Sequence, residues 1–132
     1  MPASHRSRLE QRLPARPESI TALRRAVVEY AARGGASARR REDIALAVSE
    51  ALSNVVVHAY AGRAEPGDVR VHASIDDGAL EIAVCDEGNG MTRRGGPGLG
   101  LGLEIMSQVS DRLRLESGGA PGLRVRMTFA LD

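Results

Sequence analysis

The sequence predicts an α+β fold: a two-layer sandwich in which a mostly antiparallel sheet of about five strands is covered on one face by three helices. Three observations lead there. The apolar spacing switches between a period of two and a helical period in the order β-α-α-β-β-α-β-β. The strands follow one another through short turns, which leaves three helices to cover one face of a sheet. At 132 residues, 42% hydrophobic and 27% charged, the chain has the size and composition of one domain with its own core, taken as 8–132.

The elements follow in order. Arg8 to Ala15 alternates Leu9, Gln11 and Leu13 against Glu10 and Arg12 and closes on Pro14, the pattern of an edge strand. From Pro17 the spacing turns helical, with Ile20, Leu23, Val27, Tyr30 and Ala31 on one face and Gly34-Gly35 as the stop. Ser37 can cap a second helix, predicted to run to His58 or Tyr60 on a stripe of Ile44, Ala47, Val48, Ala51, Val55 and Ala59. Beyond the turn-rich stretch 61–67, Val69, Val71, Ala73 and Ile75 alternate with Arg70, His72 and Ser74. Asp77-Gly78 reads as a hairpin turn into Leu80, Ile82 and Val84. Seven glycines and Pro97 between Asp86 and Gly102 predict a loop, after which Leu101, Ile105 and Val109 restore a helix. Leu113 and Leu115, then Leu123, Val125, Met127, Phe129 and Leu131, form a terminal hairpin.

Composition narrows the function. Eighteen basic and seventeen acidic residues leave a charge of +1, so no global field draws nucleic acid or an anionic membrane. Aromatic content of 2% leaves little for bases to stack on. Every basic side chain is Arg or His, and the absence of Lys removes both the P-loop lysine and Schiff-base chemistry. One cysteine builds no internal disulfide, and no apolar run approaches the roughly 20 residues of a membrane span. A soluble, cytoplasmic protein is expected.

Three sets of residues stand out. Glu50 and Asn54 are four apart on one helix, so both side chains project from one face and can reach one ligand. Most such pairs are simply solvated, but SEALSNVVVHAY is otherwise apolar and should be half-buried. Asp86 ends an apolar strand and runs into Glu87-Gly88-Asn89-Gly90, where glycines let main chain approach a ligand. Gly98-Leu99-Gly100-Leu101-Gly102 leads into a helix whose free N–H groups suit phosphate oxygens. Each set alone has an ordinary explanation, as polar helix face, Asp-containing turn or flexible loop. The order of all three carries the argument. The remaining singletons have bland readings: His58 as a polar helix end, His72 as exposed, Cys85 as a small buried residue. Arg39-Arg40-Arg41 opposes a helix dipole and reads as a solvated run, or as a contact for an acidic partner.

Glu50-Ala51-Leu52-Ser53-Asn54 with His58-Ala59-Tyr60, then Asp86-Glu87-Gly88-Asn89-Gly90, then Gly98-Leu99-Gly100-Leu101-Gly102, resemble the N, G1 and G2 boxes of the Bergerat-fold (GHKL) ATPases. The Asn–His–Tyr ending and the short chain resemble most the anti-sigma-factor serine/threonine kinases, over roughly 8–131. The resemblance implies the Bergerat ATP-binding fold, with ATP and Mg²⁺ as cofactors. It implies Glu50 as general base, Asn54 as the magnesium ligand and Asp86 as acceptor of the adenine amino group. Gly88, Gly90, Gly98, Leu99, Gly100, Leu101 and Gly102 would shape the pocket and phosphate cradle. Arg93 or Arg94 would neutralise phosphate charge or meet a partner, and a solvated loop pair is an equal reading. Implied partners are a sigma factor and a STAS-type anti-anti-sigma protein, with no direct nucleic-acid or membrane contact and with room for a homodimer. Family members commonly carry Thr where this chain has Leu123 after Gly122, and its lid segment Met91 to Pro97 is short. The implied activity is transfer of phosphate to a partner serine; the competing reading is a partner-binding module in which ATP only sets conformation. A detached histidine-kinase domain is disfavoured, because no helix with a phosphoacceptor His precedes the fold.

Overall fold

The structure is a computed structural model of the chain and describes residues 8–88, 97–117 and 122–132. Strand β1 (Arg8–Pro14) leads to helices α1 (Pro17–Arg33) and α2 (Ala38–Asn54), and α2 continues into a wider π turn over Val55–Ala59. Strands β2 (Asp68–Asp76) and β3 (Ala79–Asp86) follow, then helix α3 (Pro97–Val109) and strands β4 (Arg112–Glu116) and β5 (Arg124–Ala130). The element order expected from the apolar spacing is therefore present among the described residues.

Local chemistry explains most boundaries. Pro17 enters α1 at a position whose N–H has no intrahelical partner, while Glu18 in the first turn and Arg33 in the last complement the helix dipole. The Ser37 side chain caps α2 by accepting from Arg40 N–H at 3.1 Å. Asp77 and Gly78 both have positive φ, 53° and 76°, the turn that matches the twist of the β2–β3 hairpin.

Two boundaries differ from the sequence reading. The regular α-helix stops at Asn54, and the stretch to Ala59 takes the π geometry. Helix α3 begins at Pro97, so the second glycine set lies inside a helix and not in a loop. Pro97 tolerates the first helical position, and the helix-weakening glycines are retained because α3 packs directly on α2.

The five strands lie in the order β1-β2-β3-β5-β4, every neighbouring pair antiparallel. One face of the sheet is apolar. Val69, Val71 and Ala73 of β2, Leu80, Ile82 and Val84 of β3, and Val125, Met127 and Phe129 of β5 are buried there. Above them α2 packs between α1 and α3, contributing Ile44, Ala47, Val48, Ala51 and Leu52. The other face is polar: pairing register places Glu10, His72, Ala83, Arg126 and Arg114 in one row across it. Its ion pairs, such as Arg126–Glu81 at 3.4 Å and Arg124–Glu116 at 3.7 Å, are half-exposed and contribute little stability.

The arginine run at the start of α2 is not merely solvated. Arg40 donates to Ala130 O at 2.8 Å and to Asp43 and Asp111 at 2.9 Å each, and stands over the Phe129 ring at 5.4 Å. Arg41 donates to Ala36 O at 3.0 Å. Arg40 thereby joins the start of α2 to the β4–β5 edge, a role that local spacing does not reveal.

Candidate functional site

Glu50 and Asn54 occupy the last turns of α2, and α3 brings Gly102 directly against them. A methyl group placed on Gly102 would lie 3.2 Å from Glu50 Oε1, 3.3 Å from Asn54 Nδ2 and 3.5 Å from Asn54 Oδ1. With no side chain at 102, the α3 backbone comes this close to a carboxylate and an amide together without displacing either. Glu50 is half-buried, as the apolar context predicts.

Asn54 is more telling. It is buried, and its Nδ2 has no hydrogen-bond partner. An unsatisfied buried amide costs about 1–3 kcal/mol, so the fold holds this group in place at the expense of its own stability. Rotation of the terminal amide exchanges Nδ2 for Oδ1, so the same position can offer a donor to a phosphate oxygen or an acceptor to a cation. Among the described residues no group of three or more His, Cys, Asp or Glu gathers as a metal cage. A divalent ion there would take most of its shell from phosphates and water, the usual habit of Mg²⁺, and the residues present fit that demand.

Asp86 forms the second corner, buried at the end of β3. Its N–H donates to Leu123 O at 3.1 Å, and its Oδ1 accepts from Gly88 N–H at 2.8 Å. Two glycines make the corner sterically feasible. A Cβ on Gly88 would fall 2.0 Å from Ala59 O, and one on Gly122, whose φ is 130°, would fall 2.4 Å from Asp86 O. Tyr60, buried just beyond the π turn, accepts from Glu87 N–H at 3.0 Å and donates to Asp68 O at 2.7 Å. Burial raises its phenol above the ordinary 10.0, partly offset by the bond from the Glu87 N–H.

The sequence-predicted residues divide accordingly. Glu50, Asn54 and Gly102 meet in one cluster, and Asp86 and Gly88 in another at the far side of the π turn. Gly98, Leu99, Gly100 and Leu101 lie in the first turns of α3, with the Leu101 side chain 62% exposed and therefore not walled in by described residues. Gly90, Arg93 and Arg94 lie outside the described residues. Leu123, where relatives were expected to carry Thr, is buried and serves Asp86 through its backbone carbonyl. His58 is half-exposed, and Cys85 is buried on the polar side of the sheet, where its thiol raises the Arg124 pKa above its usual value by hydrogen bonding. Sequence reasoning missed Tyr60 as a structural contact and Gly122 as a close approach. The available signal was a Tyr ending an apolar stripe, since a buried phenol must find partners for its hydroxyl.

Depressions elsewhere do not compete. One of about 360 Å³ lies on the polar sheet face between Glu10, His72, Glu81 and Arg126, and one of about 480 Å³ lies beside Arg40 and Asp111. Both are bordered by the arginine–carboxylate pairs already described.

Comparisons with known proteins span nearly the whole chain. The sequence profile of the histidine kinase-like ATPase domain matches residues 13–129. The chain is 32% identical over 141 residues to the serine-protein kinase RsbW of Bacillus pumilus, covering 94% of this chain and 86% of that one. It is 30% identical over 132 residues to the anti-sigma F factor of Caldanaerobacter subterraneus, covering 91% of each. Among solved structures, the RsbU and RsbW domains of a Mycobacterium tuberculosis protein superpose with a TM-score of 0.75 at 27% identity, over 95% of this chain and 32% of that one. The histidine kinase domain of a blue-light activated kinase from Erythrobacter litoralis shares the fold, with a TM-score of 0.59 at 23% identity over 90% of this chain and 62% of that one.

Proposed function

The chain belongs to the family of histidine kinase-like ATPase domains, and on that premise we propose that it is an ATP-binding anti-sigma factor that phosphorylates a serine of an anti-anti-sigma protein. The unit is the single domain 8–132. The observation that carries the reading is the convergence of Glu50, Asn54 with its unpartnered Nδ2, and Gly102.

Each residue has a task its chemistry suits. Asp86, a buried carboxylate held by Gly88 N–H, accepts the adenine amino group, and guanine offers a carbonyl at that position instead. Asn54 supplies one oxygen to Mg²⁺, which when bound neutralises phosphate charge. The glycines at 98, 100 and 102 keep the start of α3 bare, so its N–H groups can face phosphate oxygens. Glu50 takes the proton of the acceptor hydroxyl while that oxygen bonds the γ-phosphorus and the bond to the β-phosphate oxygen breaks, leaving ADP and a phosphoserine. A sigma factor is the second partner, sequestered by the protein and released when the anti-anti-sigma protein competes for it. No described helix is long and apolar enough to cross a membrane, and a cytoplasmic location suits the proposed regulatory role.

Phosphate transfer from γ-labelled ATP to a cognate anti-anti-sigma protein tests the proposal. Glu50→Ala should abolish transfer while keeping the thermal stabilisation by Mg-ATP, which at 100 times the dissociation constant is about 2.7 kcal/mol. Loss of nucleotide binding in that variant would contradict the role of Glu50, and absence of any shift with millimolar ATP in the wild type would overturn the nucleotide site itself. Tight partner binding without transfer would make the protein a nucleotide-set binding module.

A further inference from the structure

We infer that Tyr60 is a positioning residue for base recognition, its hydroxyl tying the peptide just after Asp86 to the start of β2 so that the carboxylate stands where adenine can be read. The inference rests on the assignment of Asp86 to the adenine amino group. It goes beyond that assignment by naming what holds Asp86.

The geometry is a short relay. At Asp86 the chain leaves the β2–β3 ladder, whose last pair is Val69 and Asp86, so the N–H of Glu87 has no strand partner. The Tyr60 hydroxyl supplies one at 3.0 Å and donates its own proton to Asp68 O, at the start of β2, at 2.7 Å. One residue further on, Gly88 N–H reaches back to Asp86 Oδ1 at 2.8 Å. The hydroxyl thus fixes the peptide between two residues that define the carboxylate: Asp86 itself and the donor that orients it.

The ring is as constrained as the hydroxyl. A Cβ on Gly67 would lie 2.5 Å from Tyr60 Cε1, and the Arg63 guanidinium stands 5.0 Å from the ring centroid. Beneath, the carbonyl of Ala59 abuts Gly88 so closely that no side chain fits there. A π turn, which widens the helix end, separates this group from Asn54 on the same chain segment. Packing alone would be served equally well by Phe, so the hydroxyl's distinct contribution is to the 86–88 peptide.

Tyr60→Phe preserves the ring and removes both hydrogen bonds. Calorimetric titration with Mg-ATP and Mg-GTP should show the ATP dissociation constant rising about tenfold, with GTP binding changed less than about twofold. Phosphotransfer at saturating ATP should keep its kcat within about twofold. In an Asp86→Asn background the same substitution should add less than about twofold, because Tyr60 acts through Asp86. Glu87→Pro, which deletes the N–H and leaves Tyr60 intact, should reproduce the loss of selectivity. An unchanged ATP-to-GTP ratio in Tyr60→Phe, whatever happens to its Tm, would overturn the inference and reduce Tyr60 to a packing residue. Failure of the wild type to bind Mg-ATP would instead remove the assignment of Asp86, a separable result.

Discussion

Gly102→Ala should make the protein more stable and less active, and the opposite signs follow from one methyl group. Position 102 lies within α3, where Gly is about 1 kcal/mol worse than Ala because it loses more backbone freedom on folding. The added Cβ meets no backbone. Its nearest neighbours are Glu50 Oε1 at 3.2 Å and Asn54 Nδ2 at 3.3 Å, both ends of side chains that can yield by a few tenths of an ångström. The displacement should consume only part of the helix gain, leaving a net stabilisation of roughly 0.5 kcal/mol and a Tm rise of about 2–3 °C. The groups that yield are those proposed as general base and magnesium ligand, and misplacing reacting groups by up to 1 Å costs as much as about 100-fold. Phosphotransfer should therefore fall roughly 10- to 100-fold. Thermal unfolding without nucleotide and transfer from labelled ATP, measured on the same sample, read the two effects. A lowered Tm would show that the bare glycine serves the fit of α3 to α2. Unimpaired transfer would show that Gly102 does not stand over the reacting groups, and either result refutes the reasoning.

Two further predictions address the site from the stability side. Asn54→Leu replaces an unsatisfied buried amide by an apolar group of similar size, so the nucleotide-free protein should gain about 1 kcal/mol in denaturant unfolding while the stabilisation by Mg-ATP disappears. The Tyr60 phenol is raised above 10.0 in the fold, so the folded protein retains a proton that the unfolded chain has lost. Its stabilisation is complete below pH 10 and lost as pH climbs through the folded value; wild-type stability should fall more steeply than that of Tyr60→Phe above pH 10.

Much was decided locally, and for a definite reason. Apolar periodicity is a property of neighbouring residues, so Val69, Val71 and Ala73, or Ile44, Ala47, Val48 and Ala51, announced their elements and buried faces before any packing was known. Four-residue spacing likewise put Glu50 and Asn54 on one face, and Asp77-Gly78 named its own turn. Where local rules competed with packing, the boundaries moved: glycines that read as loop joined α3, and a helix predicted to run to His58 or Tyr60 widened at Val55.

The sequence by itself determined the element order, the two-layer class and the family to which its three motifs point. Only tertiary structure decided that β5 inserts between β3 and β4, that Gly102 stands over Glu50 and Asn54, and that a tyrosine hydroxyl ties the peptide after Asp86 to the start of β2. Periodicity encodes which face of an element is buried, because that depends on residues a few positions apart. It carries no record of which buried face meets which, and the site is assembled from those meetings.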